Sequence, residues 1–159
     1  MRRLLLVTVL ALTPAGLTST AALATSPHFV GGFTISKSLD TGLTVSGKAA
    51  GLGNGPVEAF LTADTVSATY ECVNKGGNVA PGQPLVLSGV TGPVETTTPR
   101  NGQITFTVTL PPPPTPSSAE TCPNGNWSVR LLSLTYSGVV LHVHQGATDL
   151  EANLGTIDP

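Results

Sequence analysis

The chain contains two cysteines, Cys72 and Cys122, which are 122 minus 72, or 50, positions apart. A structural zinc site needs about four ligands, and the other candidate nitrogens are those of His28, His142 and His144. A cysteine nucleophile needs a base and protection from oxidation. Because an even cysteine count in an oxidising compartment favours pairing, we predict one disulfide, Cys72–Cys122. By reducing the conformational entropy of the unfolded chain, this disulfide is expected to add roughly 4 kcal/mol to the free energy of unfolding.

The two later histidines, His142 and His144, lie two positions apart in a stretch that alternates polar and apolar residues. Their side chains therefore project from the same face of a predicted strand. A metal site would use them with Asp149 or Glu151 as the third ligand. The alternative is a solvated polar face. Two histidines do not assign a metal by themselves, so we predict no metal and no cofactor, with His142 and His144 as the metal candidates.

Sequence patterns for catalysis are absent. The chain has no Gly-x-Ser-x-Gly nucleophile elbow, and no pair among its few carboxylates is singled out for glycoside cleavage. Only 10% of the residues are charged, against roughly 25% in an average soluble domain. We therefore predict that the protein is not an enzyme, with a small secreted hydrolase as the alternative.

Each cysteine is followed within two residues by Asn and then by Gly, in Cys72-Val-Asn-Lys-Gly-Gly-Asn78 and in Cys122-Pro-Asn-Gly-Asn-Trp127. Asn and Gly tolerate left-handed backbone conformations, so both segments are predicted to be sharp turns. A disulfide would tie the two turns together at one end of the domain. We expect Tyr70 and Trp127 in the core, with an outward Trp127 as the alternative. The candidate binding residues are Asn74, Lys75, Gly76, Gly77, Asn78 and Trp127.

The N-terminal stretch is typical of a secretory signal peptide. Arg2 and Arg3 precede nine mostly apolar residues, 4–12, and Ala22-Leu-Ala24 matches a cleavage site. We predict a signal peptide over 1–24, a secreted extracellular product and no membrane insertion after cleavage. The remaining 135 residues (159 minus 24) make one domain, 25–159. We expect its ends, 25–40 and 146–159, to be loosely ordered.

Composition limits the partners of the mature chain. Five basic and nine acidic side chains remain after residue 24, a net charge of −4. A chain so poor in Lys and Arg lacks the positively charged surface that binds nucleic acid, so we predict no nucleic-acid partner. We predict an unknown extracellular protein or a polysaccharide as partner.

Short alternating segments separated by Gly- and Pro-rich turns run through the whole predicted domain. The clearest is Gln103–Leu110, in which Ile104, Phe106 and Val108 alternate with threonines. We predict hairpins at 43–63 and 127–144, and a stiff crossover between sheets at the proline tract, 111–116. The fold class is all-β, an antiparallel β-sandwich of seven or eight short strands. It is immunoglobulin-like in strand count only, because Trp127 follows Cys122.

The motif C-x-N-x-G-G-x-x-x-P-G-Q at Cys72–Gln83, with the downstream Asn101-Gly-Gln103 and Cys122-Pro123, resembles a group of uncharacterised small secreted actinobacterial proteins. The resemblance covers Val66 to about Tyr136. It implies secretion and the disulfide pair, and it implies no activity.

Together these patterns predict a secreted, non-catalytic structural or binding module. One alternative is a carbohydrate or cell-wall binding module, which needs exposed aromatic rings. Another is a small secreted inhibitor of an extracellular hydrolase, which would present the loop 74–83 in a conformation fixed by the disulfide.

Overall fold

The computed structural model describes residues 26–158, so the predicted signal peptide lies outside the described residues. Within that range the chain forms ten strands and one short helix. They are β1 (His28–Phe29), β2 (Thr34–Ser38), β3 (Gly42–Ala50), β4 (Val57–Val73), β5 (Val79–Pro81), β6 (Leu85–Thr91), β7 (Glu95–Thr97), β8 (Gln103–Leu110), α1 (Ser118–Thr121), β9 (Ser128–Gln145) and β10 (Thr148–Ile157).

The smaller sheet is built around β3. Strand β8 pairs antiparallel with β3 along its whole length, from Leu43 opposite Leu110 to Ala50 opposite Gln103. The other edge of β3 is shared by β2 and the two-residue β1, which the Gly31-Gly32 break separates. The sheet therefore ends in a short, interrupted edge strand.

The larger sheet is built around β4 and β9, the two long strands. They pair antiparallel from Glu58 opposite His144 to Val73 opposite Ser128. Strand β10 covers the outer edge of β9, and β5, β6 and β7 follow one another along the outer edge of β4. One end of this sheet thus carries Cys72, and the other end carries the two histidines.

The two sheets enclose one hydrophobic core, so the predicted antiparallel β-sandwich with one disulfide is confirmed. The described residues form ten strands instead of the predicted seven or eight. Inward positions of the long strands alternate with outward ones, as the pleat requires. The largest fully buried side chains come from both sheets: Leu43, Leu61, Phe106, Leu110, Leu134, Tyr136 and Leu141.

The two predicted hairpins are wrong. The residues around Ser137-Gly138 lie inside the continuous strand β9, because Gly138 leaves room for the Asp64 side chain of β4 instead of turning the chain. The turn at 51–56 does not join paired strands either, since β3 and β4 belong to different sheets. The proline tract does connect the sheets, because β8 lies in one and β9 in the other.

The predicted loose order of the two ends is also corrected. Strand β2 lies within 25–40, and β10 fills most of 146–159. An edge strand with four of its five residues exposed has no apolar alternation to reveal it. The alternation of β10 is interrupted by register shifts around Gly155, although Leu150, Leu154 and Ile157 pack against the core.

Candidate functional site

The two cysteines form the predicted disulfide. The Cα atoms of Cys72 and Cys122 are 5.7 Å apart and their sulfurs are bonded. Cys72 lies near the end of β4 and Cys122 directly follows α1, so the bond joins the two turns. This bond removes both thiols as nucleophiles or metal ligands.

The turn after Cys72 is closed by its own hydrogen bonds. The side-chain oxygen of Asn74 accepts from the backbone N–H groups of Gly76 and Asn78, both at 2.9 Å. The backbone of Asn74 also donates to Asn78 and accepts from Gly77, which has the positive φ of 79° that glycine tolerates. Asn74 is therefore the residue that sets the shape of this turn.

The C-terminal end of the same loop, at Gly82 and Gln83, is hydrogen-bonded to β4 and to α1. The N–H of Gly82 donates to the Tyr70 carbonyl at 2.9 Å, and the N–H of Gln83 donates to the Thr121 carbonyl at 3.0 Å. Thr121 is the residue before Cys122. The loop is thus fixed at its start by the disulfide and at its end by these two backbone bonds.

The second turn, 123–127, follows Cys122. The Asn124 side chain accepts a hydrogen bond from the Asn126 N–H at 3.1 Å, and the Ser118 hydroxyl donates to the Gly125 carbonyl at 3.3 Å. Glu120 accepts from both the hydroxyl and the N–H of Ser117 at the start of α1, and these bonds lower the pKa of its carboxyl group. Local polar contacts therefore support this turn as well.

The two turns line one open cavity of about 350 Å³. It contains four of the predicted binding residues, Asn74, Lys75, Gly76 and Trp127, while Gly77 and Asn78 do not line it. Trp127 lies one residue before β9, is half-buried at the cavity and does not belong to the core, so its expected core position is wrong and the outward alternative holds. Tyr70 is buried, as predicted. Asn124 and Asn126 also line the cavity and were not predicted, although the parallel Cys-x-Asn contexts were the available signal.

The cavity combines three kinds of group. The indole ring of Trp127 supplies an apolar face, three asparagine side chains supply amide groups, and Lys75 supplies an exposed ammonium group. Lys75 is the one ionisable side chain among the described residues that line it. Such a surface is suited to a neutral or weakly acidic ligand that is rich in hydroxyl groups.

The histidines lie at the opposite end of the larger sheet, on its outward face. His142 is close to both predicted third ligands: its Nδ1 atom is 3.5 Å from Asp149 Oδ2 and 3.4 Å from Glu151 Oε1. His144 is not part of this group; its backbone lies opposite Asp149 on β10 and Glu58 on β4. The predicted histidine pair is therefore replaced by one histidine with two carboxylates.

The remaining perturbed groups belong to the core and to the space between the sheets. Burial raises the pKa values of Tyr70 and Tyr136, and it lowers the pKa of Lys37, which donates to the Leu134 carbonyl at 3.1 Å. None of these three residues lines the cavity of the two turns.

Among residues 26–158, no helix is long and apolar enough to cross a membrane. Comparison of the chain with protein-family models, with curated proteins and with solved structures gives no match.

Proposed function

We propose that this protein is a secreted, non-catalytic binding module that holds its partner at the two turns joined by the disulfide, residues 74–78 and 123–127. We call this region the two-turn surface. The observation that carries the proposal is the half-buried Trp127 in one open cavity with Asn74, Asn126 and Lys75. The scarcity of ionisable groups in that cavity supports a role in binding over one in acid–base chemistry.

A polysaccharide is the ligand that this chemistry fits best. A pyranose ring offers an apolar face to stack on an indole, and its hydroxyl groups exchange hydrogen bonds with amide side chains. The side chains of Asn74 and Asn124 accept hydrogen bonds within their own turns. Asn126 makes no side-chain hydrogen bond to the described residues, so its amide is free to bind a ligand.

Rigidity of the two-turn surface favours affinity. The disulfide, the Asn74 hydrogen bonds and the Gln83–Thr121 bond fix the surface before a ligand arrives. A surface fixed in advance loses less conformational entropy on binding.

A second candidate function is inhibition of an extracellular hydrolase. The observation that favours it is the loop 74–83, which is exposed at its tip, closed by internal bonds and fixed at both ends. Val79 and Lys75 project from it, and the Val79 residue is 59% exposed. Inhibitor loops of this kind bind tightly because the target meets a conformation that is already formed.

Co-sedimentation of the oxidised mature protein with purified cell walls, chitin and cellulose tests the proposal. We expect binding to at least one polymer, and we expect Trp127→Ala and Asn126→Ala to weaken it by roughly tenfold or more, which corresponds to about 1.4 kcal/mol. Val94→Ala is the matched control, because Val94 is 52% exposed and precedes β7 at the opposite end of β4.

Equal binding by wild type, Trp127→Ala and Asn126→Ala would contradict the assignment of the site. If no polymer binds, a panel of secreted hydrolases tests the second candidate. Inhibition that is lost in Lys75→Ala and kept in Val94→Ala would then assign the loop to inhibition.

A further inference from the structure

We propose that His142, Asp149 and Glu151 form a binding site for a divalent transition-metal ion, with Zn²⁺ as the reference ion. The site lies on the outward face of the larger sheet, at the end opposite the disulfide, and it is separate from the two-turn surface. The proposal goes beyond the expectation from sequence, which assigned no metal.

Strand pairing sets the arrangement. Glu151 lies directly opposite His142 across the β9–β10 ladder, and Asp149 lies one diagonal step away, opposite His144. Residues in these positions share one face of the sheet and their side chains reach one another. Three donor groups thus converge without any loop rearrangement.

The two distances from the histidine nitrogen have the spacing that a tetrahedral metal ion needs. The two distances from His142 Nδ1 to the carboxylate oxygens are 3.4 and 3.5 Å, and all three atoms lie within 4.8 Å of one another. Four bonds of about 2.1 Å directed to the corners of a tetrahedron place neighbouring ligand atoms about 3.4 Å apart. Asp149 and Glu151 are partly exposed, so their side chains are free to adjust to the ion.

The His142 ring is held in the orientation that a ligand needs. It stacks on Phe60 with ring centroids 4.8 Å apart and planes 11° apart, and its Nε2 atom lies 3.1 Å from the Thr62 hydroxyl oxygen. A second partner on the far nitrogen orients the imidazole of a metal-binding histidine. When that Nε2–H donates to Thr62, the Nδ1 lone pair is directed at the two carboxylates.

The Nδ1 atom itself supports a ligand role. It is shielded from solvent and makes no hydrogen bond to the described residues, and only 14% of the His142 side chain is exposed. A buried Nδ1 lone pair facing two carboxylates is stabilised either by a metal cation between the three atoms or by a proton on Nδ1, and zinc competition separates the two cases. The surrounding segments 58–62, 140–145 and 148–153 contain a third acid, Glu58, and no lysine or arginine to neutralise the charge.

The ligand types select the class of ion. One imidazole nitrogen and two carboxylate oxygens, with water in the fourth position, suit Zn²⁺ and its neighbours in the first transition row. Ca²⁺ requires six to eight oxygen ligands, which three side chains on an open sheet do not supply.

Competition of the oxidised mature protein against a chromophoric zinc chelator tests the site. We expect one Zn²⁺ per chain, with affinity reduced at least roughly tenfold in His142→Ala, Asp149→Asn and Glu151→Gln. His28→Ala is the control, because His28 is exposed on β1 in the other sheet. Thr62→Val should weaken binding by roughly tenfold, and Thr62→Ser should restore it.

X-ray absorption at the zinc edge supplies an independent readout, and we expect one imidazole nitrogen among oxygen ligands. Absence of saturable zinc binding, equal affinity in wild type and Asp149→Asn, or a preference for Ca²⁺ over Zn²⁺ would overturn the proposal. In that case His142 forms only ion pairs with the two carboxylates. Because the carboxylates are partly exposed, their variants are expected to fold, and circular dichroism checks this.

Discussion

The hydroxyl group of Tyr136 donates a hydrogen bond of 3.0 Å to the carbonyl oxygen of Leu110. Tyr136 belongs to β9 and Leu110 is the last residue of β8, so this bond joins the two sheets inside the core. It also satisfies the carbonyl group at the point where the chain enters the proline tract. The hydroxyl of the other tyrosine, Tyr70, is buried and has no hydrogen-bond partner among the described residues.

The two tyrosines therefore make a matched pair for mutation to phenylalanine. Tyr136→Phe leaves the buried Leu110 carbonyl without its partner and should lower the free energy of unfolding by about 1–3 kcal/mol. Tyr70→Phe removes a buried hydroxyl group that has no hydrogen-bond partner among the described residues. The free energy of unfolding of this variant should therefore equal or exceed that of wild type. Urea unfolding of both variants measures the difference, and an equal loss in the two would contradict the assigned bond.

Alkaline pH should destabilise the protein through the same residues. Burial raises the folded-state pKa of Tyr70 and Tyr136 above the ordinary value of 10.0. Above that pH the unfolded chain loses tyrosine protons that the folded chain keeps, so stability present below pH 10 falls as the pH rises.

Thermal unfolding of wild type and of the Tyr70→Phe/Tyr136→Phe double variant between neutral pH and the alkaline range measures this contribution. The melting temperature of the wild type should fall more steeply with rising pH than that of the double variant. Lys37, whose pKa is also shifted by burial, is present in both proteins, so its contribution cancels in the comparison. Parallel profiles for the two proteins would show that the tyrosines carry no such linkage.

Arg130 should stabilise the buried carboxylate of Glu71. The two residues lie directly opposite each other on β9 and β4 and form an ion pair, in which Glu71 is nearly buried and Arg130 is largely exposed. Arg130→Ala leaves the Glu71 carboxylate without this partner and should lower the free energy of unfolding by about 1–3 kcal/mol. Glu71→Gln in the Arg130→Ala background should recover part of the loss, and full additivity in this double-mutant cycle would argue against the pair.

The disulfide should contribute a large share of the total stability. Replacing both cysteines, in Cys72→Ala/Cys122→Ala, reopens a loop with a sequence separation of 50 and should remove about 4 kcal/mol of the roughly 5–15 kcal/mol typical of a domain. Binding at the two-turn surface should weaken as well, because the turns lose their common attachment. Urea unfolding is the measurement, and a loss below about 1 kcal/mol would contradict this prediction.

Alternation and turn residues were enough to predict the sandwich, and the even cysteine count of a chain predicted to be secreted was enough to predict the disulfide. They did not predict that β4 and β9 each continue through a break in alternation, because the Asp64–Gly138 contact that permits it joins residues 74 positions apart. Strand β2 was missed because an edge strand buries little apolar surface.

The candidate sites were predicted in part. Local turn chemistry identified Asn74, Lys75 and Gly76, but the contribution of Asn124 and Asn126 depends on the disulfide bringing a second turn alongside. In the same way, His142 and His144 share a face by strand period. Asp149 and Glu151 were named as alternative third ligands, but that both of them approach His142 depends on the β9–β10 register, which sequence alone did not supply.

The fluorescence of Trp127 tests binding at the two-turn surface most directly. It is the only tryptophan of the chain, so a change in emission on titration with soluble chitin- and cellulose-derived oligosaccharides reports on this cavity alone. We expect a saturable change in wild type and in Val94→Ala, with affinity roughly tenfold weaker in Asn126→Ala. Unchanged emission with soluble fragments of a polymer that itself co-sediments with the protein would show that the ligand binds elsewhere, and would contradict the proposed site.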